Sequence, residues 1–418
     1  VKHRQIYRRI LVAVLVVSAG CAGFALDGSD SGQSSPATPT TVVEETPTAS
    51  QNSTVSSAPL VRVYPSRDAL PVNATNVYRS TRSRLGVSVD TTVNIKLRSR
   101  DDMPKFTAGR SDLDLLLGFQ PDAEPNRAGA YNRKLWIIMP DEMTDNESRF
   151  RRVLVHELVH FFQTEAGWRS SLHYELRFHE KENLVRSDYL KTYWAVVEGS
   201  ARYVEVRASS MNVSTYVERV NSGYSQIDPY KRLFLSRYLL GVRYVASQVN
   251  DSSELVRVHE NPPRTMEEII HLKEPGSEPP ARLNLTVNDT ETWSQSGMAT
   301  RRGELYLRAT LSTEMDFERA ATAAAGWGND RLSTFEATNE TGYVWTIRFD
   351  DTANATEFVS AAQNWTTARE AATNESSFRT KRVSNETVAL VFGPPEFVQT
   401  VTVTGTDSDV RIEFDQES

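Results

Sequence analysis

The chain of 418 residues is 39% hydrophobic and 24% charged, with a mean hydropathy of -0.45. That is enough chain for two packed domains and too polar for a multi-span membrane protein. The single cysteine, Cys21, excludes an internal disulfide framework and any cysteine-based structural zinc site, and a net charge of -7 excludes a broadly cationic nucleic-acid surface.

The first residues read as an export signal. Lys2, Arg4, Arg8 and Arg9 precede the apolar run Ile10 to Val17, and Ser18, Ala19 and Gly20 lead into Cys21. A basic region, a short apolar region and small residues in that order predict a signal peptide over residues 1–20. Small residues before a lone Cys resemble a lipobox, whose thiol is lipidated as the new N-terminus. Arg8-Arg9 before Ile-Leu-Val resembles a twin-arginine signal. Ser18 departs from the Leu usual at that place. The alternative is an uncleaved anchor over the 17 residues Ile10 to Leu26, the lower limit for crossing a bilayer. Both readings put the remainder outside the cell, and the first makes the membrane a partner through lipid on Cys21. Residues 21–59 are then a disordered Ser/Thr/Pro-rich tether, too poor in large apolar side chains to fold. Twelve of 20 asparagines lie in Asn-x-Ser/Thr, among them Asn73, Asn146, Asn212 and Asn385, where chance predicts roughly four. The excess favours an exported, glycosylated surface. Only nine of the 47 basic residues are lysines, as expected of a salt-loving organism or a GC-rich genome.

In chain order, Val61–Tyr64 and Thr92–Leu97 alternate like strands, with a short helix over Val77–Leu85 between them, ended by Gly86. Leu135–Met139 is a third strand. Asn146 to Ala166 has helical periodicity and stops at Gly167. Inside that helix stands Val155-His156-Glu157-Leu158-Val159-His160. A spacing of four puts His156 and His160 on one face, one turn apart, so both imidazoles reach one tetrahedral ion. Glu157 lies beside that face, placed to take a proton from an activated water. The triplet arises by chance on the order of once in a hundred chains of this length, less often in an apolar frame.

A catalytic zinc takes three protein ligands and one open position. The metzincin extension would need Gly at position 163 and His at position 166; Gln163 and Ala166 stand there. A second helix, Thr192 to Glu205, carries Glu198 among Trp194, Val197, Ala201 and Val204, where a carboxylate is costly unless paired or metal-bound. Gly199 and Ala201 permit a close helix approach. His173, His179, Glu205 and Asp188 compete for the third place, and an ion pair with Arg202 is the structural alternative for Glu198. His156-Glu157-x-x-His160 followed by Glu198-Gly199-x-Ala201 resembles the gluzincin class of zinc metallopeptidases. With the signal, the tether and the sequons, the whole is similar to a haloarchaeal surface lipoprotein of that class. The resemblance covers roughly residues 60–280. It implies an α+β, zincin-like domain of a small sheet, an active-site helix and a Glu-bearing helix. It also implies zinc on His156, His160 and Glu198, with Glu157 as base. Many gluzincins place Asp four residues after the glutamate to orient the first histidine; Arg202 stands there, so that partner is unassigned.

Further along, a helix is expected over Lys231–Val249, and Thr265 caps a helix with Glu268 closing a capping box. Tyr224, Tyr230, Tyr238, His259 and His271 are all candidates for stabilising an oxyanion. Gly276–Pro280 reads as a linker to a second, small α+β domain over residues 281–418. In it, Leu305–Ala325 is helical, Gly326 to Asp330 is a turn, and Leu332–Ala337 and Tyr343–Phe349 form a hairpin. A helix over Ala353–Trp365 and strands over Phe378–Val383 and Val388–Phe392 follow. Trp327, Trp345 and Trp365 line either a groove or a core. The leading functional reading is a lipid-anchored zinc endopeptidase on the extracellular face of the membrane, acting on peptide or protein, with Leu135–Met139 as the edge strand that aligns substrate. The alternative is a surface-exposed binding protein on a degenerate peptidase scaffold that keeps a structural zinc. No nucleic-acid partner is expected.

Overall fold

The computed structural model describes residues 21–22, 59–64, 70–102, 111–120, 127–132, 136–179, 188–373 and 375–415. The signal over 1–20 and tether residues 23–58 lie outside these, and Cys21 is described by its backbone alone. The fold is α+β. Its first part runs β1 (Cys21–Ala22), β2 (Val61–Tyr64), α1 (Ala74–Leu85), β3 (Val93–Arg98), α2 (Asp112–Leu116), β4 (Arg127–Asn132) and β5 (Trp136–Pro140). Helices follow: α3 (Glu147–Glu165), α4 (Trp168–His179), α5 (Asp188–Ala208), α6 (Val213–Tyr224), α7 (Pro229–Gln248), α8 (Leu255–Glu260) and α9 (Met266–His271). Among the described residues, no helix is long and apolar enough to cross a membrane.

The strands form one sheet in the order β1-β4-β5-β3-β2, with β2, β3 and β5 parallel and β4 antiparallel to β5. Strand β5 is therefore paired on both sides, which corrects the expectation that Leu135–Met139 forms an edge. The outer long strand is β4. Helix α3 begins where the Asn146 side chain accepts from Arg149 N at 2.9 Å, and it buries Phe150, Leu154, Leu158 and Phe161. Gly86 ends α1 at φ +65°, a conformation that costs glycine little. Helices α5 and α7 cross at a glycine pair. A Cβ on Gly199 would stand 2.3 Å from the Gly241 carbonyl carbon, so neither position tolerates a side chain without the helices parting.

The second part comprises β6 (Asn284–Val287), β7 (Ser294–Gln295), α10 (Glu304–Leu311), α11 (Phe317–Ala324), β8 (Trp327–Ala337), β9 (Glu340–Phe349) and α12 (Thr352–Ala372). It ends with β10 (Ser377–Arg382), β11 (Thr387–Gly393), α13 (Pro395–Thr400), β12 (Val401–Gly405) and β13 (Asp409–Phe414). A five-stranded antiparallel sheet, β10-β11-β9-β8-β7, buries Trp345 and Ile347 against α10 to α12 on one face. Its other face buries Val344 and Val391 against α13 and a three-stranded sheet, β12-β13-β6. Strand β6 pairs parallel to β13, so the start and end of this part are joined. Trp327, Trp345 and Trp365, which sequence assigned to either a groove or a core, are sealed in the core.

Four local expectations are corrected. Gly326 to Asp330 is not a turn: β8 starts at Trp327, because buried Asp330 accepts from the Trp327 and Trp345 indoles and from Arg302 N and Gly303 N at 2.8–3.0 Å. Polar residues that read as a loop are satisfied inside the fold. Leu305–Ala325 is two helices, because Asp316 caps a new start by accepting from Arg319 N at 2.9 Å. Thr265 caps α9, yet Glu268 does not reach back to it. Its carboxylate instead accepts from Arg264 N (2.7 Å), Gly276 N (3.1 Å) and Glu278 N (3.2 Å). Those bonds hold the segment expected as a linker. Packing also crosses residue 280: Leu305 joins the first hydrophobic cluster, and Leu113, Leu117 and Phe119 join the second.

Candidate metal centre

Three buried side chains meet between α3 and α5. Each can offer one ligand atom of His156, His160 and Glu198, and these atoms lie within 4.8 Å of one another. Glu198 Oε2 is 3.2 Å from His156 Nε2 and 3.1 Å from His160 Nε2. Helix α3 supplies the two imidazoles from successive turns of one face. Helix α5 supplies the carboxylate at the residue before Gly199, whose bare backbone sets how near α7 holds that helix. Glu157 is fully buried on α3 next to His156.

The outward nitrogens have defined partners. His156 Nδ1 is 3.0 Å from Glu205 Oε2, and the same carboxylate accepts from Arg202 at 2.7 and 2.8 Å. His160 Nδ1 is 3.0 Å from Gln163 Oε1, while Gln163 Nε2 donates to the Val197 carbonyl at 3.0 Å. The second bond fixes the amide so that its oxygen faces the ring. Both Nδ1 atoms therefore donate outward, and both Nε2 atoms face Glu198, presenting lone pairs wherever the ring is neutral. Two lone pairs and a carboxylate at about 3 Å repel one another unless a cation stands among them. Burial opposes charge on His156, but hydrogen bonds to Glu198 and Glu205 carry its pKa up to about 9. Burial likewise opposes charge on Glu198, and His160 and His156 overcome it, holding the carboxyl far below its ordinary range. Without a metal, a proton on His156 neutralises the centre. Two imidazoles and a carboxylate so placed could hold a metal ion, and each histidine has the outer acceptor such ligands need.

Glu205 answers the question left by Arg202. A candidate ligand on sequence grounds, it instead orients His156, and Arg202 pairs with it. Its signal is the spacing of seven from Glu198, two turns along the same face. Gln163 carried no signal beyond breaking the metzincin pattern. The other competing ligands are elsewhere: His173 is exposed and bonded to Tyr189, Asp188 accepts from Met266 N at 3.3 Å, and the His179 side chain lies outside the described residues. Of the five oxyanion candidates, Tyr238 has its ring centroid 6.4 Å from the His156 ring. His259 is buried behind α5, 3.3 Å from Ser200 Oγ, and burial pushes its pKa down to about 3, so it stays neutral. Tyr230 packs on Phe119, His271 on Glu304 and Tyr224 on Phe317.

Comparison with known proteins leaves this region without a counterpart. Residues 292–412 match the model of a domain of unknown function (DUF8575), which spans β7 to β13 and stops short of the centre. No curated protein and no solved structure matches the chain.

Proposed function

We propose that the protein is a zinc-dependent endopeptidase with a zincin-like first part, held on the extracellular face of the membrane by lipid on Cys21. The observation that carries this reading is the polarity of the centre: two imidazoles with Nδ1 fixed outward and Nε2 turned onto one carboxylate. When bound, zinc would polarise water and the scissile carbonyl. Glu157, next to His156, would accept the proton of the attacking water and pass it to the leaving amine. Strand β4, whose outer side pairs among the described residues only with the two residues of β1, takes over from β5 as the strand along which an extended substrate would lie. Export is supported by the signal-like first residues and by exposed sequon asparagines, including Asn73, Asn146, Asn212, Asn364 and Asn385.

The burial of the centre favours a second reading. His156, His160, Glu157 and Glu198 are all at most 3% exposed, as in a site that holds metal for stability or ligand binding rather than turnover. One experiment separates the two. Zinc-loaded wild type should cleave an unstructured protein such as casein, and Glu157→Gln should lose about 10²–10⁴ of that rate while keeping one zinc per chain. Wild type with full zinc and no turnover would support the binding protein. Mass spectrometry of the cell-associated protein checks the anchor; an intact, unmodified segment over residues 1–30 would refute it.

A further inference from the structure

A second polar site lies on α6, α7, α9, α10 and α11. There a cavity of about 240 Å³ is lined by Tyr224, Arg243, His271, Arg308 and Phe317, among others. Typical small-molecule sites run to roughly 300–1,000 Å³, so an occupant here is small. The charges around it are unevenly spent. Arg308 donates to Glu304 at 2.5 and 2.8 Å, and His271 shares the same carboxylate at 3.1 Å. Among the described residues Arg243 has no such partner: its guanidinium donates to the Ile270 carbonyl, and its buried Nε meets no acceptor there. Among the described lining residues the one carboxylate is Glu318, which is exposed.

The unmet groups are of one kind. The Tyr224 hydroxyl is buried and has no hydrogen-bond partner among the described residues. Arg232, 2% exposed, lies 5.6 Å from the Tyr224 ring centroid and 4.0 Å from that of Phe317, and its Nε also meets no acceptor. Two of these groups, the Tyr224 hydroxyl and the Arg243 Nε, belong to residues that line the cavity and each can donate, while Arg232 lies against Tyr224 and Phe317 with its other nitrogens bonded to Ser312, Ser225 and Ile227. A buried donor left unmet costs about 1–3 kcal/mol, and an arginine fork suits an oxyanion. Burial pulls the Arg243 guanidinium below its ordinary pKa, Tyr224 opposes this and the neighbouring Arg308 adds to it. An anion would relieve both.

We propose that this cavity is a binding site for a small oxyanion, a carboxylate or phosphate group, held by Arg243 and the Tyr224 hydroxyl. It stands apart from His156, His160 and Glu198 and needs no metal. The test is calorimetric titration of the full chain with inorganic phosphate and, separately, with succinate, at constant ionic strength set by sodium chloride. At least one should bind with one site per chain. Tyr224→Phe, which deletes only the hydroxyl, should weaken it about fivefold, and Arg243→Gln about tenfold or more. Binding of phosphate alone assigns a phosphoryl ligand, and binding of succinate alone assigns a carboxylate such as an acidic side chain or chain terminus. If Arg243→Gln does not fold, Tyr224→Phe decides. Absence of 1:1 binding by either anion, or wild-type affinity in Tyr224→Phe, overturns the proposal.

Discussion

Replacing Glu205 with alanine removes the acceptor that holds His156 in its tautomer, and it takes from Arg202 the carboxylate it bonds at 2.7 and 2.8 Å. Both consequences have a size. Partners that orient a metal-binding histidine are worth about 10–100-fold in metal affinity, or about 1.4–2.7 kcal/mol. The Arg202 and Glu205 side chains are only 11% and 10% exposed, so breaking their pair costs stability too. The loss should fall near the lower end of the about 3–5 kcal/mol seen for buried pairs. Glu205→Gln keeps an oxygen that accepts from Nδ1 and loses only the charge, so its affinity loss should sit near tenfold while Glu205→Ala approaches a hundredfold. Zinc affinity is read by competition with a chromophoric chelator, and urea melts of the metal-free proteins report stability separately. Folded Glu205→Ala that binds zinc within twofold of wild type would sink the argument that this carboxylate orients the ligand.

Other consequences follow from the same geometry. On the proposed reading, zinc displaces the proton that hydrogen bonds to Glu198 and Glu205 keep on His156 up to about pH 9. Binding at pH 7 should therefore release about one proton, seen as a buffer-dependent calorimetric enthalpy, and affinity should tighten about tenfold per pH unit toward pH 9; a buffer-independent enthalpy contradicts this. Gly199→Ala should destabilise by the upper end of about 1–3 kcal/mol, because the added Cβ meets Gly241 backbone at 2.3 Å and cannot swing away. It should also weaken zinc, since the displaced helix carries Glu198; urea melts and the chelator assay read both, and an unchanged midpoint refutes it. Burial first, then Glu304 and Asp350, push the Glu267 carboxyl up to about 10. A raised pKa means stability is present below the unfolded value near 4.5 and is lost as pH rises through about 10. Glu267→Gln should flatten that decline and gain on the order of 1–3 kcal/mol at pH 8, measured by denaturant melts across pH.

Local periodicity made most elements of the first part legible. The α3 and α5 patterns, and the ending of α1 at Gly86, follow from where apolar side chains and caps recur along one stretch of chain. The pairing of His156 with His160 is equally local, because one helix turn fixes both. Sequence also proposed Glu198 for a reason of cost: a carboxylate in so apolar a stretch must find charge. What no stretch of sequence contains is which distant group answers which. Glu205 and Glu198 are both buried acids on one face of α5, and only the approach of α3 decides that one faces both Nε2 atoms and the other the Nδ1 of His156. Asp330 looked like a turn residue until two indoles and two backbone amides met it. The strands β12 and β13 went unseen for the same reason, since β13 takes one partner from across the chain, in β6. Hydrogen bonds and charges are satisfied in space, by groups tens to hundreds of residues away, so their partners are set only when the chain closes on itself.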